Sequence, residues 1–237
     1  MICVLDYGSQ YTQLIARRLR SQGFFTEVLP GRLAASAIAA RKPSGIILSG
    51  SPHSVGTGHD PDPDIVSLGV PILGLCFGYQ FLAQQLGGRV AQSIHREYGA
   101  AQVRKTQAGK LDPLVHRLSP TTQVWMSHGD SVVALPPGAQ LVLESAGEPA
   151  GFALPSRRIW GLQFHPEVYH TPEGKLLLES FARDICKQTP DWNLRAELTE
   201  LKDKLRAQLR DVSEVVCAVS GGVDSTVLAV LLSQVCK

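Results

Sequence analysis

The sequence predicts an α/β protein: a mostly parallel sheet flanked by helices, with a smaller antiparallel sheet, then a helix and part of a second α/β domain. Three observations carry that prediction. Short apolar runs alternate with helical patterns from the first residue. Closely spaced strand-like runs, broken by Pro and Gly, fill the second half, and residues 213–237 begin a new strand, glycine turn and helix.

Residues 2–5 read as the first strand, and Ser9 is placed to cap a helix running to about Gln22. Tyr11, Leu14, Ile15 and Leu19 recur there at helical spacing, and Gly23 closes the end. Residues 26–29, 45–49 and 72–75 are further strands, the last leading into a helical pattern through about Leu86. Runs at 123–126, 132–135, 141–144 and 159–164 have the spacing of an antiparallel sheet grafted onto the α/β core. A helix from about Thr171 to Cys186 completes a domain spanning residues 1–190. Over 191–212, Leu194, Leu198, Leu201, Leu205, Leu209 and Val212 lie three or four apart amid Glu, Lys and Arg. That is one amphipathic interdomain helix, expected to pack its stripe against the second domain.

With 237 residues the chain is long enough for a well-covered core. Its net charge of +2 and scattered basic residues give no electrostatic reason to bind nucleic acid or a membrane surface. Cys3, Cys76, Cys186, Cys217 and Cys236 form an odd set without a Cys-x-x-Cys pair, which argues for a reducing compartment and against a disulfide framework or zinc site. The start lacks the basic and long apolar regions of a signal peptide, and no apolar run reaches the ~20 residues of a bilayer span. A cytoplasmic address is expected.

The clearest chemistry lies at Gly74-Leu75-Cys76-Phe77-Gly78-Tyr79-Gln80. A strand precedes Cys76 and a helix follows, with a glycine two residues away on each side, so the thiol sits on a sharp nucleophile elbow. At a helix N-terminus its thiolate is favoured. The opposing view, a buried cysteine as an inert small hydrophobe, leaves the flanking glycines unexplained. The base is read at Gly161-Leu162-Gln163-Phe164-His165-Pro166-Glu167, where an apolar strand delivers His165 at its C-terminal end and Glu167 can orient the imidazole. His128, in a polar turn Met126-Ser127-His128-Gly129-Asp130 between two strands, is the weaker base because no carboxylate stands in its register. His53, His59, His95, His116 and His170 read as solvated loop residues, and no pair has metal-ligand spacing.

Near the end, residues 215–219 read as a strand buried on both faces, and Ser220-Gly221-Gly222-Val223-Asp224-Ser225-Thr226 follows. The glycines let the backbone approach a ligand, and Asp224, Ser225 and Thr226 supply caps for a helix over 227–235, whose free N–H groups attract phosphate. No Lys follows the glycines, which excludes the Gly-x-x-x-x-Gly-Lys pattern; an anion-free strand-turn-helix is the alternative.

Cys76 in its elbow, His165-Pro166-Glu167, and Leu48-Ser49-Gly50-Ser51-Pro52 together resemble the class I glutamine amidotransferase domain over about residues 1–190. The resemblance implies a flavodoxin-like core and hydrolysis of glutamine through a γ-glutamyl thioester. Cys76 is then the nucleophile, His165 the general acid/base and Glu167 its orienting partner. Ser51 and the N–H of Phe77 make the oxyanion hole, while Gly50, Gln80, Ser127, Gly129 and Asp130 hold glutamine. Many relatives have Gly-Gly-Pro where this chain has Gly50-Ser51-Pro52; a backbone N–H donates whichever side chain it bears.

The stretch 220–226 resembles the pyrophosphatase loop of synthetases that adenylate an oxygen, where it holds the departing pyrophosphate with magnesium. Joined to a class I glutaminase, and with Asp6-Tyr7-Gly8-Ser9-Gln10, Ser51-Pro52-His53-Ser54-Val55 and Arg96-Glu97-Tyr98-Gly99, it is similar to the glutamine-hydrolysing GMP synthetases. That family implies ATP and Mg as cofactors, XMP as the acceptor aminated to GMP, and a homodimer in full-length form. Residues 213–237 are then the truncated start of the ATP pyrophosphatase domain, and the chain alone is expected to be a slow glutaminase that makes no GMP. Two other functions share the motifs: a γ-glutamyl hydrolase or peptidase, which leaves residues 213–226 unexplained, and a silent regulatory module, which normally lacks the thiol or the histidine.

Overall fold

The computed structural model describes residues 1–236, apart from the side chains of residues 93–96. The reading of His95 as a loop residue and the Arg96 of the Arg-Glu-Tyr-Gly motif therefore fall outside the described residues. The chain divides into two compact units, Met1–Asp191 and the residues from Trp192 onward.

The strands of the first unit are β1 (Ile2–Asp6), β2 (Thr26–Pro30), β3 (Gly45–Leu48), β4 (Ile72–Leu75), β5 (Arg89–Lys105), β6 (Thr121–Ala134), β7 (Gln140–Ser145), β8 (Glu148–Leu154) and β9 (Ile159–Leu162). Its helices are α1 (Thr12–Ser21), α2 (Ala35–Ala39), α3 (Phe77–Gln85) and α4 (Gly174–Glu179), the last continued by a π-helical stretch, Ser180–Ile185. Among the described residues the strands form one nine-stranded sheet in the order β2-β1-β3-β4-β9-β8-β7-β5-β6. The first five are parallel, and β8, β7, β5 and β6 extend the sheet with antiparallel pairings. The antiparallel part is thus a continuation of the main sheet.

The inner parallel strands β1, β3, β4 and β9 are apolar almost throughout because both of their faces are covered, whereas the edge strand β2 carries Thr26 and Glu27. Successive side chains alternate between the faces: Ile2, Val4 and Ile47 pack with Ile15 and Leu19 of α1 and with Leu177, Leu178 and Phe181. Cys3, Leu5, Ile46 and Leu48 point the other way, into a cluster with Phe77, Tyr79 and Leu82 of α3.

Several sequence expectations need correction. Residues 123–126 and 132–134 are not two strands around a turn but parts of β6, which ends one residue short of the expected 135, because β5 pairs with it on both sides of an irregularity. Residues 159–164 do not belong with the antiparallel runs alone: β9 pairs parallel with β4 and antiparallel with β8, so it joins the two halves. The residue before α1 is Tyr11, not Ser9; the Ser9 hydroxyl accepts from the Tyr11 N–H at 3.1 Å and so shapes the turn ahead of the helix. The strands β5 and β8 lack a clean alternating pattern and have no counterpart in the sequence reading.

In the second unit, α5 (Leu194–Gln208) begins where the Asn193 side chain accepts from the Arg195 N–H at 2.9 Å, and α6 (Val223–Val235) follows the glycine turn. Residues 215–219 form no strand: a buried strand needs a paired neighbour, and among the described residues none is beside it. Val227, Leu228 and Val230 of α6 are exposed. No described helix is long and apolar enough to cross a membrane.

One buried polar cluster ties the unit Met1–Asp191 together. The Asp112 carboxylate accepts from the Trp160 indole N–H at 3.0 Å and from the N–H groups of Leu114 and Val115 at 2.9 and 3.3 Å. Burial pushes its pKa up, against these donors. Asp112→Ala strands three buried donors and should destabilise the protein by about 2–4 kcal/mol in urea denaturation, whereas Asp112→Asn, which keeps an acceptor, should cost about 1 kcal/mol.

Candidate active site

Cys76 terminates β4 and immediately precedes α3, and its backbone adopts φ 52°, ψ −104°, a region that L-residues avoid. The elbow is held there by close approach on both sides. A Cβ on Gly74 would lie 2.5 Å from the carbonyl of Gly78, and one on Gly78 would lie 2.6 Å from Leu48. The Cys76 N–H donates to the Leu162 carbonyl at 2.8 Å, which fastens the turn to β9. Phe77, the first residue of α3, has no partner for its N–H among the described backbone bonds.

Strand β9 delivers His165 to the same place. Its Nδ1 lies 2.7 Å from Oε1 of Glu167, and both side chains are almost wholly buried. Tyr11 meets the imidazole edge-on at 5.0 Å, and a Cβ on Gly50 would come within 3.0 Å of its Cε1. Burial opposes a charged ring, but the Glu167 carboxylate and the Cys76 sulfur together outweigh it, so the pKa of His165 is raised well above its ordinary value. With Nδ1 engaged by Glu167, Nε2 is left for Cys76.

Two hollows meet at the sulfur. One, of about 310 Å³, is lined by Ser51, Phe77, Gln80, Ser127, Gly129 and Asp130. The other, of about 290 Å³, is bounded by Gly8 to Tyr11 and His165, and shares Ser51, Cys76 and Ser127 with the first. A larger hollow of about 520 Å³ beside Arg32 and His59 contains neither Cys76 nor His165, so size does not mark the site. The structure thus gathers the candidates of the first unit about the sulfur, with two that do not line the cleft: Glu167 stands behind His165, and Gly50 gives His165 its room. Gln80 is buried and its Nε2 already donates to the Asp130 carbonyl at 2.6 Å and to Oε1 of Gln163 at 3.3 Å, leaving its own oxygen as the free group.

The expectation for His128 fails in two respects. The residue lies within β6, not in a turn, and a carboxylate does stand in register: Glu97 pairs with it across β5, Oε2 to Nε2 at 3.2 Å. Its Nδ1 faces the Asp130 carbonyl at 3.0 Å. Burial pushes its pKa down more than Glu97 restores it, opposite to His165. The β5–β6 pairing could not be read because the irregularity at 92–97 breaks the alternation that would have announced it.

In the second unit the 220–226 turn is present, with Gly221 at φ 83° and nothing within 4 Å of its missing Cβ. Asp224, Ser225 and Thr226 do not cap α6 from outside; they lie in its first turn, where the Ser225 and Thr226 hydroxyls donate to the Gly222 carbonyl.

Residues 3–185 match the family model described as glutamine amidotransferase class-I. The chain belongs to that family. Over 98% of its length it is 44% identical to the GMP synthases (glutamine-hydrolyzing) of Rhodopseudomonas palustris and Syntrophomonas wolfei, yet it spans only 44% and 46% of those two proteins. Among solved structures it resembles a candidate GMP synthase component from Thermoplasma acidophilum, with TM-score 0.68 and 29% identity, covering 85% of this chain and 96% of that one. A glutamine amidotransferase of Thermotoga maritima shares the fold at TM-score 0.59 and 20% identity, covering 99% and 96%.

The amidotransferase site makes an electrostatic prediction. A histidine whose pKa is higher folded than unfolded stabilises the fold fully below about pH 6.5, and that contribution is lost as pH rises through the folded value. An NMR titration of His165 should therefore place its pKa above about 6.5 in the native chain. Glu167→Gln removes the main charge that favours the imidazolium and should lower it.

Proposed function

We propose that this chain hydrolyses glutamine to glutamate and ammonia through a γ-glutamyl thioester on Cys76. The observation that carries the reading is the elbow sulfur sharing one cleft with the buried His165–Glu167 pair. The Cys76 thiolate attacks the side-chain amide carbon, and the oxyanion that forms is received by the N–H groups of Phe77 and Ser51. The His165 imidazolium gives its proton to the departing nitrogen, the C–N bond breaks and ammonia leaves. The neutral imidazole then takes a proton from water, whose hydroxide attacks the thioester; glutamate departs and the proton returns to the Cys76–His165 pair. Glu167 keeps Nε2 facing the sulfur and steadies the charged ring. Gln80, Ser127, Gly129 and Asp130 hold the substrate's amino-acid end, and Gly50 acts by letting His165 sit close.

In the full-length protein the ammonia would serve ATP-dependent amination of XMP to GMP, the reading supported by 44% identity to GMP synthases over 98% of this chain. The turn Ser220 to Thr226 fits a pyrophosphate: Gly221 leaves its surroundings open, the start of α6 offers backbone N–H groups, and the Asp224 carboxylate is of the type that holds magnesium. ATP bound there supplies activation of the acceptor oxygen. A homodimeric full-length enzyme completes this proposal, and a cytoplasmic address is supported by five unpaired cysteines.

Purified chain should release ammonia from glutamine and not from γ-glutamyl peptides, which separates an amidotransferase from a γ-glutamyl hydrolase. Cys76→Ala should lower the rate by about 10⁴-fold or more and Glu167→Gln by about 10²–10⁴-fold. Unchanged glutaminase activity in Cys76→Ala would refute the assignment.

A further inference from the structure

His165 is fixed by more than Glu167. Strand β6 closes the sheet at its far end, so its outer edge has no strand partner among the described residues. At Trp125 that edge is used by the segment that follows β9. The His165 N–H donates to the Trp125 carbonyl at 3.0 Å. The Trp125 N–H donates to the Thr171 hydroxyl oxygen at 3.1 Å, and that hydroxyl donates to the His165 carbonyl at 2.7 Å. Donors and acceptors run in one direction around a closed ring made of the backbone N–H and C=O of two residues and one side chain.

Thr171 is buried, at 2% exposure, and its own backbone is held in a turn by the bond from its N–H to the Val168 carbonyl. Neighbouring contacts press the same segment onto β6. The rings of Trp125 and His170 lie 4.4 Å apart, and Gln123 donates to the His170 carbonyl at 3.2 Å. Gly174 has no room for a Cβ against the Pro166 carbonyl, so the loop carrying His165 and Glu167 is closed tightly on itself.

We propose that Thr171 is a positioning residue for the glutaminase reaction, its hydroxyl locking the backbone of His165 onto β6. The role rests on the function proposed above. Two residues beyond Trp125 on that strand is Ser127, whose carbonyl lies 3.5 Å from the Cys76 sulfur and whose neighbours line the cleft. One short hydrogen-bonded ring therefore sets the acid/base residue and the wall of the substrate cleft in register. Nδ1 of His165 is aimed by Glu167, and both of its backbone polar groups are aimed by Trp125 and Thr171, so ring and backbone are held together. A shift of about an ångström at such a point is enough to cost up to about a hundredfold in rate.

The test uses this chain and a readout that needs no turnover: the rate at which iodoacetamide alkylates Cys76 at neutral pH, resolved from the other cysteines by peptide mapping. Thr171→Val preserves shape and removes the hydroxyl, and should slow alkylation about tenfold. Thr171→Ser restores it and should stay within about threefold of the parent. Thr171→Ala, which leaves space for a water to bridge the two peptides, should fall between and serves if the valine variant does not fold. In glutamine hydrolysis the valine or alanine variant should lose kcat with KM changed less than about twofold. A folded Thr171→Val or Thr171→Ala protein with parental alkylation rate and kcat overturns the role of Thr171, as does a serine variant no better than valine. A parent chain that alkylates at Cys76 but never releases ammonia from glutamine refutes the glutaminase reading itself while leaving the alkylation comparison to judge Thr171.

Discussion

The constraint on which this molecule's chemistry depends is the backbone of Cys76. A residue at φ 52°, ψ −104° carries strain of roughly 1–3 kcal/mol, and it persists only where the surroundings over-determine it. Here the surroundings are the four strands β1, β3, β4 and β9, which are buried on both faces, and the helix α3, which approaches β3 and β4 through Gly74 and Gly78 with no space for a methyl group. The closeness of helix and sheet puts the sulfur at the start of α3, beside the N–H of Phe77. Cys3 and Cys186, which lie away from this turn, have thiol pKa values that burial pushes up to about 11 and 12.

Electrostatics then separate two buried histidines that look alike on paper. Each has a glutamate at one ring nitrogen. Glu97 is partly in water, with 31% of its side chain exposed, so its charge is screened and burial of His128 prevails. Glu167 is 1% exposed, and one of its oxygens, Oε2, has no hydrogen-bond partner among the described atoms. A carboxylate buried with one oxygen unsatisfied is costly unless a cation sits on the other. The protonated ring of His165 is such a cation, and Glu167 and Cys76 both favour that form against burial. Burial opposes the charged ring at both sites, and the net shifts differ because the partner carboxylate is desolvated at one and partly in water at the other.

The parts legible in the sequence were those with a local physical signature. The parallel strands announced themselves as continuous apolar runs, Cys76 by its flanking glycines, and His165 by its place at the end of such a run. The unread parts depended on pairing. Nothing near Ser127–Asp130 distinguishes a polar turn from the middle of a long edge strand; only β5, which meets it across an irregularity, decides the matter. Residues 215–219 show the converse, since an apolar β-branched run of the right length becomes a strand only beside another strand. The partner Glu97 was missed for the same reason as β6, and Thr171 because a single hydroxyl in a Thr-Pro-Glu-Gly stretch reads as an ordinary loop residue.

The antiparallel extension explains why the site belongs to one sheet and not to a motif. In an open parallel sheet the carboxyl ends of strands gather ligands, and Cys76 after β4 and His165 after β9 stand at such ends. They supply no opposite wall. The extension through β8, β7 and β5 ends on β6, which brings Ser127, Gly129 and Asp130 up to the sulfur and offers its unpaired edge to the chain after β9. An exposed edge is otherwise an aggregation hazard that proteins cover or break. Here the covering segment is the one that carries His165, Glu167 and Thr171, so protecting the edge and building the site are accomplished by the same hydrogen bonds. Displacing that segment would therefore bare the edge of β6 and dismantle the site together.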